Sequence, residues 1–89
     1  MIVERTVTIL NVLGLHVRPS AEFAATASRF GSRVSVIKDG QAVNGKASID
    51  LLILAAVAGT QLTLRAEGED AQQAVDALVG LIESRFGEE

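Results

Sequence analysis

The sequence of 89 residues has no cysteine, no tryptophan, no tyrosine and only one histidine. The absence of cysteine excludes a disulfide framework, a thiolate metal site and cysteine catalysis, and it is typical of a protein of the reducing cytoplasm. A single histidine without cysteine also leaves too few soft ligands for a transition-metal site. We therefore expect a cytoplasmic protein without a metal or other cofactor.

Aromatic residues are also scarce, since three phenylalanines are the only ones in a chain that is 48% hydrophobic. Leucine, valine, isoleucine and alanine must therefore fill the core. A chain of this length buries only about 60–65% of its unfolded surface, which suffices for one core. We expect one domain over residues 1–89.

Charge and hydropathy exclude two classes of partner. The net charge is −3 and the basic residues are scattered, so there is no basic footprint for nucleic acid. The apolar run 49–58 is far shorter than the roughly 20 residues that a membrane helix needs. Glu4 and Arg5 interrupt the apolar start of the chain, so we expect a strand there and no signal peptide. No membrane insertion is expected.

Hydrophobic periodicity predicts strands and helices in the order βαββαβα. The predicted strands span residues 3–9, 34–37, 42–43 and 62–67, and the first two helices span 17–30 and 48–56. Ser48 is a predicted N-cap, and Asp70 is predicted to cap a third helix with Gln73 completing a capping box. Asp39-Gly40 predicts a tight hairpin. This order favours an α+β fold, with a mostly antiparallel sheet and its helices on one face.

The most informative segment is Gly14-Leu15-His16-Val17-Arg18-Pro19-Ser20, where a strand gives way to a helix. The first N–H groups of a helix lack partners within it and carry partial positive charge, so they attract anions. Arg18 adds a fixed cation, and a neutral imidazole such as His16 can accept a phosphoryl group. Spacing alone does not separate a histidine that binds phosphate from one that is phosphorylated.

This G-L-H-V-R-P-S segment resembles the active-site signature of HPr, the histidine phosphocarrier of bacterial phosphotransferase systems, usually G-L-H-A-R-P-A. The resemblance runs from Thr6 to about Phe86 and includes the V-N-G-K segment, the apolar run 51–54 and the acidic glycine turn 67–70. Val17 and Ser20 stand where the signature has alanine. The resemblance implies an open-faced β-sandwich of four antiparallel strands with three helices on one face.

The resemblance also implies a function and its residues. His16 would accept a phosphoryl group from phosphorylated enzyme I and pass it to an enzyme IIA-type acceptor. Arg18 would act beside it, and the N–H groups of Val17 and Arg18 would hold the phosphate oxygens. The family implies the Nδ1 nitrogen, whereas the sequence alone favours neither. Because there is no G-x-x-x-x-G-K-[ST] loop and no carboxylate cluster for Mg²⁺, we expect a carrier and not an autonomous enzyme.

A partner-docking surface is implied around the starts of the first two helices. By position it includes Val17, Ala21, Ser48, Ile49 and Leu52. Exposed apolar residues suit brief contacts with several partners. Leu51 and Leu54 are predicted to be core, and Ile49 and Leu52 are equally compatible with the core and the surface.

Some alternatives stay open. Many HPr proteins carry a regulatory serine after V-N-G-K, phosphorylated by a kinase, but Ala47 occupies that register here and Ser48 follows one residue late. A second function class is a regulatory adaptor that binds partners through the same face, with His16 phosphorylation as a signal. A third is an acylphosphatase-like module, which would need an arginine-bearing anion loop elsewhere. We expect a monomer.

Overall fold

The predicted order of elements is confirmed in the structure, a computed structural model that describes residues 1–89. The elements are β1 (Ile2–Thr8), α1 (Val17–Ala27), β2 (Arg33–Lys38), β3 (Gln41–Asn44), α2 (Ser48–Leu54), β4 (Gln61–Glu67) and α3 (Ala71–Glu83). A single 3₁₀ turn, Arg85–Gly87, follows α3. Asp39 and Gly40 both have positive φ between β2 and β3, as a two-residue hairpin requires.

The four strands form one sheet in the order β1-β4-β2-β3, and every neighbouring pair is antiparallel. Side chains alternate across it: Leu62, Leu64 and Ala66 of β4 are buried, whereas Thr63 and Arg65 between them are partly exposed. The helices pack on the buried face, and the other face is polar. The expected α+β open-faced sandwich is therefore confirmed.

The core lies between the sheet and the helices and contains 21 buried hydrophobic residues. Its largest side chains are Phe23 of α1 and Phe86 of the 3₁₀ turn. Leu51 and Leu54 are buried, which confirms them as core residues. Because Phe86 is buried, the segment after α3 is fixed against the body of the protein.

Two helices end earlier than the periodicity predicted. α1 ends at Ala27 and not at Phe30, because Arg29 and Phe30 donate to carbonyls three residues back and tighten the last turn. α2 ends at Leu54 and not at Ala56, because Ala55 adopts the left-handed conformation with φ 54°. Apolar periodicity continues past both ends and gives no sign of these stops.

Both predicted helix caps are wrong in detail. Ser48 is the first helical residue of α2, its side chain makes no hydrogen bond, and Ala47 occupies the N-cap position. Asp70 stands at the N-cap of α3 but makes no capping bond with its side chain. It accepts instead from the N–H groups of Gly31 and Ser32, both at 2.9 Å, and from the Ser32 hydroxyl. A tertiary contact has replaced the local one.

Candidate functional site

The loop between β1 and α1 is held close to the segment that follows α2. Gly14 has φ +68°, and a Cβ there would lie 2.9 Å from the Cα of Val57 and still closer to the Ala56 carbonyl oxygen. The next residue, Leu15, is buried and its N–H donates to the same carbonyl at 2.9 Å. Glycine is therefore required at position 14 to bring the following histidine to the start of α1.

His16 occupies the N-cap position of α1, with an extended backbone and no capping bond from its side chain. The N–H groups of Val17 and Arg18 make no hydrogen bond within the protein, and the first turn contains no acidic residue. The partly positive end of the helix is thus open beside the imidazole. This is the arrangement that binds an anion at a helix N-terminus.

Pro19 and Ser20 complete this first turn. Pro19 is the third helical residue, where no N–H is needed, and the Leu15 carbonyl lies before the N-cap and accepts no helical hydrogen bond. The buried Ser20 hydroxyl donates to that carbonyl at 3.1 Å. The serine that departs from the alanine of the HPr signature therefore satisfies a carbonyl that the helix leaves without a donor.

The carboxylate of Glu88 lies within this site. Its Oε1 is 2.8 Å from His16 Nε2 and accepts from Asn11 Nδ2 at 2.8 Å, while its Oε2 accepts from Arg18 Nη2 at 2.6 Å. These contacts, with that of Arg18 the largest, lower the pKa of Glu88 to about 2. Glu88 is therefore ionised at neutral pH.

The Arg18 guanidinium is bound by two carboxylates, and one of them, Glu88, also contacts His16. Besides Glu88, it donates from Nη1 to Glu22 Oε2 and from Nη2 to the Phe86 carbonyl, both at 2.6 Å. The hydrogen bond to Glu88 is the main reason that the pKa of Arg18 is raised. The guanidinium is half exposed, so it can reorient toward an arriving anion.

Asn11 links the C-terminal tail, which is the segment after α3, to the loop between β1 and α1. It is fully buried, and its Nδ2 donates to the Gly14 carbonyl at 2.7 Å as well as to Glu88. Neither Asn11 nor Glu88 was predicted as a site residue. Asn11 offered one signal, a polar residue within the apolar run from Ile9 to Leu13, whereas nothing near Glu88 in the sequence points to position 16.

The predicted docking residues come together in one place. A shallow groove between α1 and α2 is lined by Val17, Ser20, Ala21, Ser48, Ile49 and Leu52. Ile49 is 64% exposed and Leu52 37%, so both belong to the surface. The groove adjoins His16 through Val17.

Two further features concern metals and membranes. No cluster of three or more acidic or histidine side chains is placed to hold a metal ion. None of the helices combines the length and apolar character needed to cross a membrane.

Comparisons with known proteins agree with this fold. The family model for the PTS HPr component phosphorylation site matches residues 3–84. Phosphocarrier protein HPr of Cupriavidus necator is 44% identical over 85 residues, which cover 96% of each chain. HPr-like protein Crh of Halalkalibacterium halodurans is 42% identical over 81 residues, or 91% of this chain and 96% of its own. A crystal structure of HPr-C-His from Thermoanaerobacter tengcongensis matches with a TM-score of 0.94 and 47% identity over 98% of each chain.

The open sandwich and these matches over nearly the full chain define a small phosphocarrier protein. Its role is to carry a phosphoryl group within a transfer system. The chain belongs to the HPr family of the phosphotransferase system.

Proposed function

We propose that this chain is a cytoplasmic carrier that accepts a phosphoryl group on His16 from phosphorylated enzyme I and passes it to an enzyme IIA-type acceptor. The observation that carries the proposal is the position of His16 at the open N-terminus of α1, next to two N–H groups without partners. Its imidazole is 36% exposed, so a partner's phosphohistidine can reach it.

The transfer requires little chemistry from this chain. A neutral imidazole nitrogen of His16 attacks phosphorus, the bond from phosphorus to the donor's nitrogen breaks, and its electron pair stays with the donor. The N–H groups of Val17 and Arg18 then hold phosphoryl oxygens, and the Arg18 guanidinium balances their charge after leaving Glu88. The reverse steps deliver the group to the acceptor.

The groove between α1 and α2 serves as the docking surface in this proposal. Val17 and Ile49 present exposed apolar side chains beside the histidine, and no charge needs to be buried when a partner covers them. The same surface can therefore be used in turn by enzyme I and by the acceptor. Brief contacts of this kind suit a relay.

Incubation with enzyme I and phosphoenolpyruvate tests the proposal. The mass should rise by one phosphoryl group, the phosphate should be labile in acid, and adding an enzyme IIA protein should remove it. His16→Ala should abolish the gain, and Glu89→Ala, which changes an exposed side chain without hydrogen bonds, should leave it intact. Acid-labile phosphate on His16→Ala, or none on the unaltered protein, would contradict the relay.

Ser48 belongs to the docking surface in this proposal and is not a site for a regulatory kinase. It is exposed at the first residue of α2, one position beyond the register of the family's regulatory serine. Incubation with an HPr kinase and ATP should leave Ser48 without stoichiometric acid-stable phosphate. Full modification of Ser48 would instead make the protein a switch with two inputs.

The adaptor alternative draws support from the similarity to HPr-like protein Crh. It predicts partner binding without onward transfer, so the enzyme IIA step of the experiment separates the two functions. We also propose that residues 1–89 act as one monomeric domain. Light scattering together with a single unfolding transition would test this, and a concentration-dependent dimer would contradict it.

A further inference from the structure

We propose that Glu88 is a positioning residue that holds the neutral His16 ring in its Nε2–H tautomer, which leaves the lone pair on Nδ1 to accept the phosphoryl group. This inference rests on the proposed function, because it concerns how the same histidine is prepared. It assigns a role to a side chain 72 residues away in the sequence.

The tautomer follows from the chemistry of the contact. An ionised carboxylate can only accept hydrogen bonds, so at 2.8 Å from Glu88 Oε1 the Nε2 atom of His16 must carry the hydrogen. A neutral imidazole carries one N–H, and Nδ1 therefore has the free electron pair. Nδ1 makes no hydrogen bond within the protein and stays available for attack.

Glu88 is itself held in place on both oxygens. Asn11 donates to Oε1, and Arg18 donates to Oε2. Asn11 is in turn tied to the Gly14 carbonyl, so the histidine loop fixes the carboxylate that orients its own ring. A partner held this firmly can select one tautomer without losing much side-chain freedom at the moment of reaction.

The backbone around Glu88 is anchored as well. Phe86 fills part of the core on one side, and the Val12 N–H donates to the Glu89 carbonyl at 2.5 Å on the other. Arg85 and Phe86 both adopt the left-handed region, with φ 58° and 54°. Such a conformation is unfavourable for residues other than glycine, so packing and hydrogen bonds must maintain this turn.

The negative charge of Glu88 also stabilises the phosphorylated form of His16. When Nδ1 bonds to phosphorus while Nε2 keeps its hydrogen, the ring becomes cationic. The adjacent carboxylate stabilises that positive charge, as a buried carboxylate does for a catalytic imidazolium. Glu88 also occupies Arg18 in the resting protein, which would by itself slow transfer. Orienting the ring outweighs this competition.

Nitrogen-15 NMR of the His16 ring, at a pH high enough for the ring to be neutral, tests the tautomer directly. The unaltered protein should show the Nε2–H form almost alone, and Glu88→Ala should shift toward the mixture of free imidazole. Glu89→Ala is the matched control, since it removes the same charge one residue away, and should not differ from the unaltered protein. An unchanged tautomer ratio in Glu88→Ala would overturn the proposal.

Phosphorylation by phosphoramidate, a small donor that needs no docking, tests the consequence. We expect Glu88→Ala to react a few-fold to about tenfold more slowly, with a larger share of phosphate on Nε2. Glu88→Gln can still accept from Nε2–H without the charge, so it should fall between the two. A Glu88→Ala protein that reacts as fast as, or faster than, the unaltered one would show that Glu88 only competes for Arg18. Because neither measurement uses enzyme I, failure of the relay itself would be seen separately.

Discussion

The segments at the start of α1 and beyond its end are each bound by a carboxylate that is distant in the sequence, and the donors differ. At the N-terminal end, Glu88 accepts from the side chains of Asn11 and Arg18 and contacts His16. In the loop beyond the C-terminal end, Asp70 accepts from the backbone N–H groups of Gly31 and Ser32 and from the Ser32 hydroxyl. The donors at the first position are side chains, whereas two of the three at the second are backbone N–H groups.

This difference separates a site from a structural junction. The pKa of both carboxyl groups is lowered, by Arg18 first for Glu88 and by the Ser32 hydroxyl first for Asp70. A lowered pKa thus does not distinguish them. The donors do, because the side chains of Arg18 and His16 can turn to another partner, whereas the N–H groups of Gly31 and Ser32 are fixed in the backbone. Four predictions follow this contrast, from the largest effect to the smallest.

Changing the N-terminal end should affect transfer and leave folding nearly intact. Arg18→Ala removes a charge-assisted contact to the phosphoryl group, so we expect transfer from enzyme I to slow roughly ten- to a hundredfold. Lysine should rescue only in part, because it lacks the planar fork. The matched control is Arg29→Ala, which removes an exposed arginine just beyond the other end of α1. Equal rates in the two variants would remove Arg18 from the mechanism.

Changing Asp70, by contrast, should reduce stability and leave transfer nearly unchanged. Asp70→Ala removes the acceptor of the Gly31 and Ser32 donors, and we expect Tm to fall by about 5 °C or more while transfer rates stay near normal. Glu69→Ala, an exposed neighbour without hydrogen bonds, should change neither. Thermal unfolding and the phosphorylation assay measure the two effects. A loss of transfer in folded Asp70→Ala would mean that the two ends are coupled.

Ser48, the first residue of α2, has a hydroxyl without a hydrogen-bond partner, so changing it should cost little stability. Ser48→Ala should change the free energy of unfolding by less than about 0.5 kcal/mol. Ser20→Ala is the matched comparison, since its buried hydroxyl satisfies the Leu15 carbonyl, and it should cost about 1 kcal/mol. Chemical denaturation measures both. An equal cost at the two positions would show that Ser48 caps its helix after all.

The effect of protonating Glu88 is the smallest at neutral pH, because it acts only in acid. Because the folded pKa of Glu88 is lowered from 4.5 to about 2, its contacts add stability above about pH 4.5, and this contribution is lost as the pH falls toward 2. A carboxyl carbon-13 titration should therefore place the Glu88 midpoint far below that of an ordinary glutamate. A midpoint near 4.5 would mean that the tail is not held by Arg18 in solution.

The parts of the molecule that local sequence controls were predicted well. Alternation of apolar residues located the strands, and the glycine, histidine, arginine and proline around His16 predicted a helix start with open donors. In α2, Leu51 and Leu54 were predicted as core and are buried, whereas Ile49 and Leu52 were equally compatible with core and surface until the structure placed them at the surface. Periodicity cannot make that separation at the edge of a helix face, where burial depends on the neighbouring helix.

The parts that depend on distant contacts could not be predicted. Asp70 has a cap-forming residue type at a helix start, yet Gly31 and Ser32 attract its carboxylate. Ser48 is displaced from the cap by one residue, which propensity does not resolve. The contact of Glu88 with His16 depends on the left-handed turn at Arg85 and Phe86. The residue types at these two positions do not predict that turn.

His16 and Glu88 are 72 residues apart in the sequence, so their contact can show whether the chain has folded completely. Closing so long a loop is costly in entropy until the intervening sheet and helices are in place. A molecule that has released residues 84–88 keeps the whole G-L-H-V-R-P-S segment but loses this contact. The environment of one imidazole nitrogen therefore reports whether the entire chain has folded, and a single NMR signal could serve as a check of intact protein.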